Sequence, residues 1–100
     1  MKIRLVRFNL GPGRRSEAEA IADKVVPLIR AQRGLERCEF ITDDQTGDYG
    51  LVVLWSTQEA ADAASQVVSP VLMRALAEAK ASPDIRLFDV YEPKNVHAFG

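Results

Sequence analysis

The sequence predicts an α+β domain of the ferredoxin-like type, β-α-β-β-α-β, with a four-stranded antiparallel sheet and both helices on one face. Three observations carry this. An alternating stretch opens the chain, further strand-like stretches stand in its middle and at its end, and apolar stripes at helical spacing fall between them. A single turn-rich segment, Asp43-Asp44-Gln45-Thr46-Gly47, joins two strand stretches directly. The 100 residues contain no Gly/Ser linker and no clear repeat, which fits one domain over 1–92 with a C-terminal tail over 93–100.

Lys2 to Leu10 alternates as a first strand. Ile3, Leu5, Arg7 and Asn9 share one face, and Arg4, Val6, Phe8 and Leu10 share the other. Gly11-Pro12-Gly13 ends it. Ser16-Glu17-Ala18-Glu19 has the form of a capping box, opening a helix whose stripe is Ala18, Ile21, Ala22, Val25, Leu28 and Ile29. Pro27 deletes one helix hydrogen bond and predicts a kink near Asp23. Gly34 suits a C-cap.

Leu35 to Thr42 and Tyr49 to Trp55 form the hairpin strands. Ser56-Thr57-Gln58-Glu59 resembles a second capping box, opening an Ala-rich helix to about Gln66. Ser69-Pro70 then predicts a restart, with Pro at the first helical position. Ser82-Pro83-Asp84 breaks the helix, and Ile85 to Tyr91 is the last strand.

The strand Tyr49 to Trp55 is apolar on both faces, Leu51 and Val53 on one and Val52 and Leu54 on the other. Two helices cover only one face of such a sheet. An exposed apolar face of that size is foreign to a monomer, so the sequence predicts a homodimer with the sheets face to face.

Composition excludes several chemistries. One cysteine, Cys38, and one histidine, His97, allow neither an internal disulfide nor a Cys-based zinc site nor a multi-histidine centre within one chain. A net charge of −1 lacks the basic footprint of a nucleic-acid binder. Apolar runs such as Leu51 to Trp55 fall far short of a bilayer span, and Arg4 and Arg7 interrupt any signal-like stretch. The expected setting is cytoplasmic, with a reduced thiol.

From Met1 to about Ala79 the chain resembles the antibiotic-biosynthesis-monooxygenase superfamily of dimeric α/β barrels. The resemblance lies in a first strand ending in Val6-Arg7-Phe8-Asn9-Leu10-Gly11-Pro12-Gly13 and in Gln32-Arg33-Gly34-Leu35-Glu36 before the second strand. It continues in Leu51-Val52-Val53-Leu54-Trp55-Ser56-Thr57-Gln58-Glu59-Ala60 and in the break at Ser69-Pro70-Val71. The resemblance implies a dimeric barrel and a monooxygenase acting without a cofactor on a small aromatic or quinol-type substrate. The superfamily's haem-degrading branch depends on a Trp and a His after the third strand. Residues 60–79 contain neither, so that activity is not expected.

By the same resemblance Asn9 is the candidate catalytic residue, a carboxamide able to stabilise developing negative charge. Its plain alternative is to finish the strand and bond the turn. Trp55, Tyr49, Tyr91 and Arg7 are candidate substrate-binding residues: Trp55 as a pocket wall, the tyrosines as hydroxyl donors, Arg7 as a holder of an anionic substrate. For Trp55 and the tyrosines the alternative is packing. Cys38 reads as a small buried hydrophobe. The Asp43, Asp44 and Asp48 cluster lacks the spacing of a calcium loop and reads as a solvated turn. Ala60, Ala61, Ala63 and Ala64 leave little bulk under the second helix, which implies either close approach or a cavity for a small hydrophobic or aromatic ligand.

A non-catalytic ligand-binding or stress-related homodimer of the same fold is the main rival. An RNA-recognition module lacks its basic aromatic strand here, and an amino-acid-sensing regulatory domain lacks its catalytic companion.

Overall fold

The computed structural model describes residues 1–93, so His97 and nearly all of the expected tail lie outside the described residues. Six elements follow in the expected order: β1 (Lys2–Asn9), α1 (Arg15–Arg30), β2 (Leu35–Asp43), β3 (Asp48–Trp55), α2 (Gln58–Glu78) and β4 (Asp84–Asp89). The strands form one antiparallel sheet in the order β2-β3-β1-β4. This is the ferredoxin-like arrangement.

Antiparallel partners project to the same side, so the register assigns the paired strand residues to faces, Glu36 at a bulge in β2 excepted. Arg4, Val6 and Phe8 of β1 oppose Val53, Leu51 and Tyr49 of β3, and these oppose Cys38, Phe40 and Thr42 of β2. Most of these residues are buried under the helices with Ala18, Ile21, Val25 and Ile29 of α1 and Ala61, Ala64, Val68, Leu72, Ala75 and Leu76 of α2. Phe8, Phe40 and Tyr49 meet as an aromatic cluster with ring centroids 6.2–6.4 Å apart. The other face carries Ile3 and Leu5 of β1, Val52 and Leu54 of β3, and Phe88 of β4, which is 46% exposed. Among the described residues no helix lies on that side.

Local chemistry explains where the elements depart from expectation. α1 begins at Arg15, so Ser16 is already helical and caps nothing. Arg14 occupies the N-cap position without a side-chain cap bond, and its guanidinium pairs with Glu17 and donates to the Leu10 carbonyl. At α2 the cap is Thr57, whose hydroxyl accepts from the Ala60 amide at 3.1 Å, one residue later than the expected box. α2 also runs unbroken through Pro70. That proline costs about 3 kcal/mol in a helix interior. Beyond it, however, Leu72 and Leu76 are buried at roughly 2 kcal/mol each, enough to carry the helix on.

α1 likewise continues through Pro27 and ends at Arg30, with Ala31 as its cap in place of Gly34. Gly34 instead adopts a left-handed φ of +80° on the approach to β2, close against α2, where a Cβ would lie 2.5 Å from that of Ala60. β4 stops at Asp89, opposite Lys2, with one further bond from the Val90 amide to the Met1 carbonyl at 3.1 Å; Tyr91 lies past its end.

Candidate functional site

A cleft opens between α2 and the sheet. Val6, Leu51 and Val53 form its floor, Trp55 one wall, and Ala61, Ala64, Val68 and Leu72 its roof. Its volume is about 60 Å³. The small alanines hold the roof back: both Ala61 and Ala64 are buried, yet neither fills the space a larger side chain would. Ile85 of β4, 39% exposed, lies on its solvent side. Polar groups are few, namely Arg4 on the sheet and Ser65 and Ser69 on α2.

Of the expected site residues, Trp55 lies in this cleft, 3% exposed, at the end of β3. Asn9 and Arg7 do not. Both lie on the helix-free face, around a shallow depression with Asp48, Ser82, Pro83 and Asp84. The Asn9 carboxamide is engaged there: its Nδ2 donates to the Thr46 carbonyl at 3.0 Å and to Asp48 Oδ1 at 2.8 Å, and its Oδ1 accepts from the Gly11 amide at 2.9 Å. Both of its N–H donors are spent on the β2–β3 turn. The bond from Asn9, with a second from the Thr46 hydroxyl, holds the Asp48 carboxyl below the usual carboxylate range.

Tyr49 is buried in the aromatic cluster beside the cleft, not in its lining. Its hydroxyl donates to Asp44 Oδ1 at 3.0 Å, and Asp44 in turn accepts from Arg15 at 2.8 Å, tying the hairpin turn to the start of α1. Burial, followed by the Asp44 bond, pushes the phenol above its ordinary value. Tyr91 is 76% exposed beyond β4. The structure thus puts Asn9 and Arg7 on one sheet face, Trp55 and Tyr49 on the other and Tyr91 past the sheet, and brings Trp55 alone to the cleft. Cys38, half-buried on the helix side of β2, has its thiol pushed up by burial. Among the described residues no group of three His, Cys, Asp or Glu side chains is arranged to hold a metal ion.

Arg4 is the residue that sequence reasoning passed over. The signal was present, since alternation puts Arg4 on the same face as Val6 and Phe8, where a cation is unexpected. Ser65 and Ser69 carried a weaker signal, four residues apart on the helix stripe that also contains Ala61, Val68 and Leu72.

No protein-family model matches the sequence, and no curated protein is similar to it in sequence. Solved structures are similar in fold. SnoaB, a cofactor-independent oxygenase from Streptomyces nogalater, superposes with a TM-score of 0.68 at 17% identity, covering 94% of this chain and 97% of its own. An antibiotic biosynthesis monooxygenase gives 0.73 at 13% identity, over 92% and 100%. NE2512, a protein of unknown function from Nitrosomonas europaea, gives 0.76 at 17%, over 93% and 91%. The chain has the fold of the antibiotic-biosynthesis-monooxygenase-like proteins.

Proposed function

We propose that this chain is a homodimeric, cofactor-independent monooxygenase whose helix–sheet cleft takes a small aromatic or quinol-type substrate. The observation that supports this reading is the cleft itself: an apolar floor, a Trp55 wall and an alanine roof, which suit one edge of a flat ring. SnoaB, alike in fold, is a cofactor-independent oxygenase. The volume of about 60 Å³ is less than half the ~150 Å³ of a cavity that admits benzene. A ring therefore enters edge-first and extends toward Ile85 and solvent.

In this chemistry an electron-rich substrate reduces O₂ directly. One oxygen atom enters the substrate and the other leaves as water with the two hydrogens that the substrate gives up. The protein holds the ring against Trp55 and keeps water from the reacting carbon with Val6, Leu51 and Val53. A second copy of the chain covers Ile3, Leu5, Val52, Leu54 and Phe88 on the open face. In that dimer Arg7 and Asn9 lie toward the interface and shape it. A cytoplasmic setting suits the free thiol of Cys38.

One observation favours a second reading, a ligand-binding dimer without catalysis. The only carboxamide put forward for catalysis, Asn9, is spent on the hairpin and faces away from the cleft. Oxygen consumption with a panel of anthrone- and quinol-type compounds decides between them. The oxygenase reading expects uptake matched to quinone formed, above the rate without protein. Binding of the same compounds without uptake overturns catalysis and leaves the second reading.

A further inference from the structure

We infer that the ligand of the cleft carries an ionised carboxylate and that Arg4 is the residue that selects it. This rests on reading the cleft as a ligand site, and is independent of whether oxygen is consumed there. The argument begins with two neighbouring cations on β1. Lys2 and Arg4 alternate onto the same, helix-side face of the sheet. Opposite Lys2 on β4 stands Asp89, which pairs with it. Opposite Arg4 stand Leu87 on β4 and Val53 on β3, and next along that row is Cys38. The row that enters the cleft has the cation without the anion.

Nor does α2 supply one. Its residues over the cleft are Ala61, Ala64, Ser65, Val68, Ser69 and Leu72. Arg4 belongs to none of the salt bridges formed among the described residues. Arg4 is half-buried in a lining that is otherwise apolar apart from two serines, and a guanidinium that a ligand there cuts off from water gains from an ion partner. Its planar fork of donors matches the two oxygens of a carboxylate. Ser65 and Ser69, one helical turn apart on the cleft side, add hydroxyl donors.

The same lining argues for a carboxylate over a phenolate. It contains no Asp, Glu, His or Lys, so nothing in the cleft accepts a proton from an incoming phenol. A phenol, with an ordinary pKa of about 10, arrives neutral at pH 7, whereas a carboxylic acid arrives already ionised. The ligand class is therefore a small arene bearing a carboxylate, its ring against Trp55 and its charge at Arg4.

Trp55 is the sole tryptophan of the chain, so its indole N–H gives one assignable signal in a ¹⁵N–¹H spectrum. Benzoate and its neutral near-isostere benzamide are titrated into the wild-type protein and into Arg4→Met. The expectation is that benzoate shifts the Trp55 signal and binds about tenfold or more tightly than benzamide, as a charge-assisted pair implies. In Arg4→Met that preference disappears. Equal affinity for the two compounds in the wild type overturns the role of Arg4 and leaves the cleft as a ligand site. If neither compound moves the Trp55 signal, both the inference and the cleft reading fall. The wild-type comparison decides the matter even if Arg4→Met folds poorly.

Discussion

The Asn9 carboxamide donates to the Asp48 carboxylate at 2.8 Å across the β1–β3 ladder, on the sheet face opposite to Trp55. Its other bonds, to Thr46 and Gly11, make it a clamp between the end of β1 and the β2–β3 turn. Asn9→Ala removes all three bonds at an exposed position, and is expected to cost about 1–2 kcal/mol. Urea midpoints measure it.

The same clamp predicts an acid limb of stability. Asp48 has its folded-state pKa lowered, first by the Asn9 bond and then by that from Thr46. A lowered folded value means that the carboxylate's contribution is fully present above its unfolded pKa of about 4 and fades as pH falls through the folded one. The urea-midpoint gap between wild type and Asp48→Asn should therefore be widest near neutrality and close in acid below the ordinary carboxylate range. A gap that stays constant down to strongly acid solution contradicts the assignment.

Two glycines of the same corner separate backbone strain from crowding. Gly47 and Gly13 share a left-handed φ of +78°. A Cβ on Gly47 would come within 2.2 Å of the Gly11 backbone carbonyl, whereas one on Gly13 meets nothing within 4 Å. Gly13→Ala pays only for conformation, about 1–2 kcal/mol. Gly47→Ala must also push β1 and the hairpin apart, breaking the Leu10–Gly47 bond of 2.9 Å, and is expected to cost about 3–4 kcal/mol. Thermal or urea denaturation of the two variants checks the order.

How much of this was legible in the sequence depended on whether the evidence was local. Alternation placed Arg7 and Asn9 with Ile3 and Leu5, and Arg4 with Val6 and Phe8, as the register bears out. What alternation cannot say is which of those faces the helices take. That follows from tertiary packing, which buries Val6 and Phe8 against α1 and α2, and it turns Arg4, not Arg7, toward the cleft. Asn9 and Trp55 both end strands. They end antiparallel neighbours at opposite ends and on opposite faces. Pro70 misled for a different reason: its local cost is real, but Val68, Leu72, Ala75 and Leu76 continue one buried stripe across it.

The alanine roof supports a prediction that separates ligand space from simple packing. Ala64→Val adds two methyl groups beside a cleft of about 60 Å³. If the space is spare, the added apolar contact roughly offsets the lower helix propensity of valine, and stability changes by less than about 1 kcal/mol. The same methyls fill the room against Trp55, so ligand-induced shifts of the Trp55 indole signal should vanish. A loss of several kcal/mol would instead mean that Ala64 is closely packed and the cleft is no ligand space.

The helix-free face makes the final prediction. Leu54 sits beside Ile3, which in turn sits beside Phe88, and Val52 beside Leu5, giving a contiguous apolar patch across three strands. Charges flank it, Arg37 and Glu39 on β2 and Asp84 and Arg86 on β4, in the pattern of an apolar centre with a polar rim. Leu54→Asp puts a carboxylate into that centre, where dimerisation would strip it of water, and Arg37, opposite it on β2, is already paired with Glu39 at 2.8 Å. Sedimentation should show the wild type as a dimer at micromolar concentration and Leu54→Asp as a monomer. Far-UV circular dichroism should stay close to wild type, because the side chain projects away from the helix-side core. A monomeric wild type would overturn the dimer, while a dimeric Leu54→Asp would place the interface elsewhere.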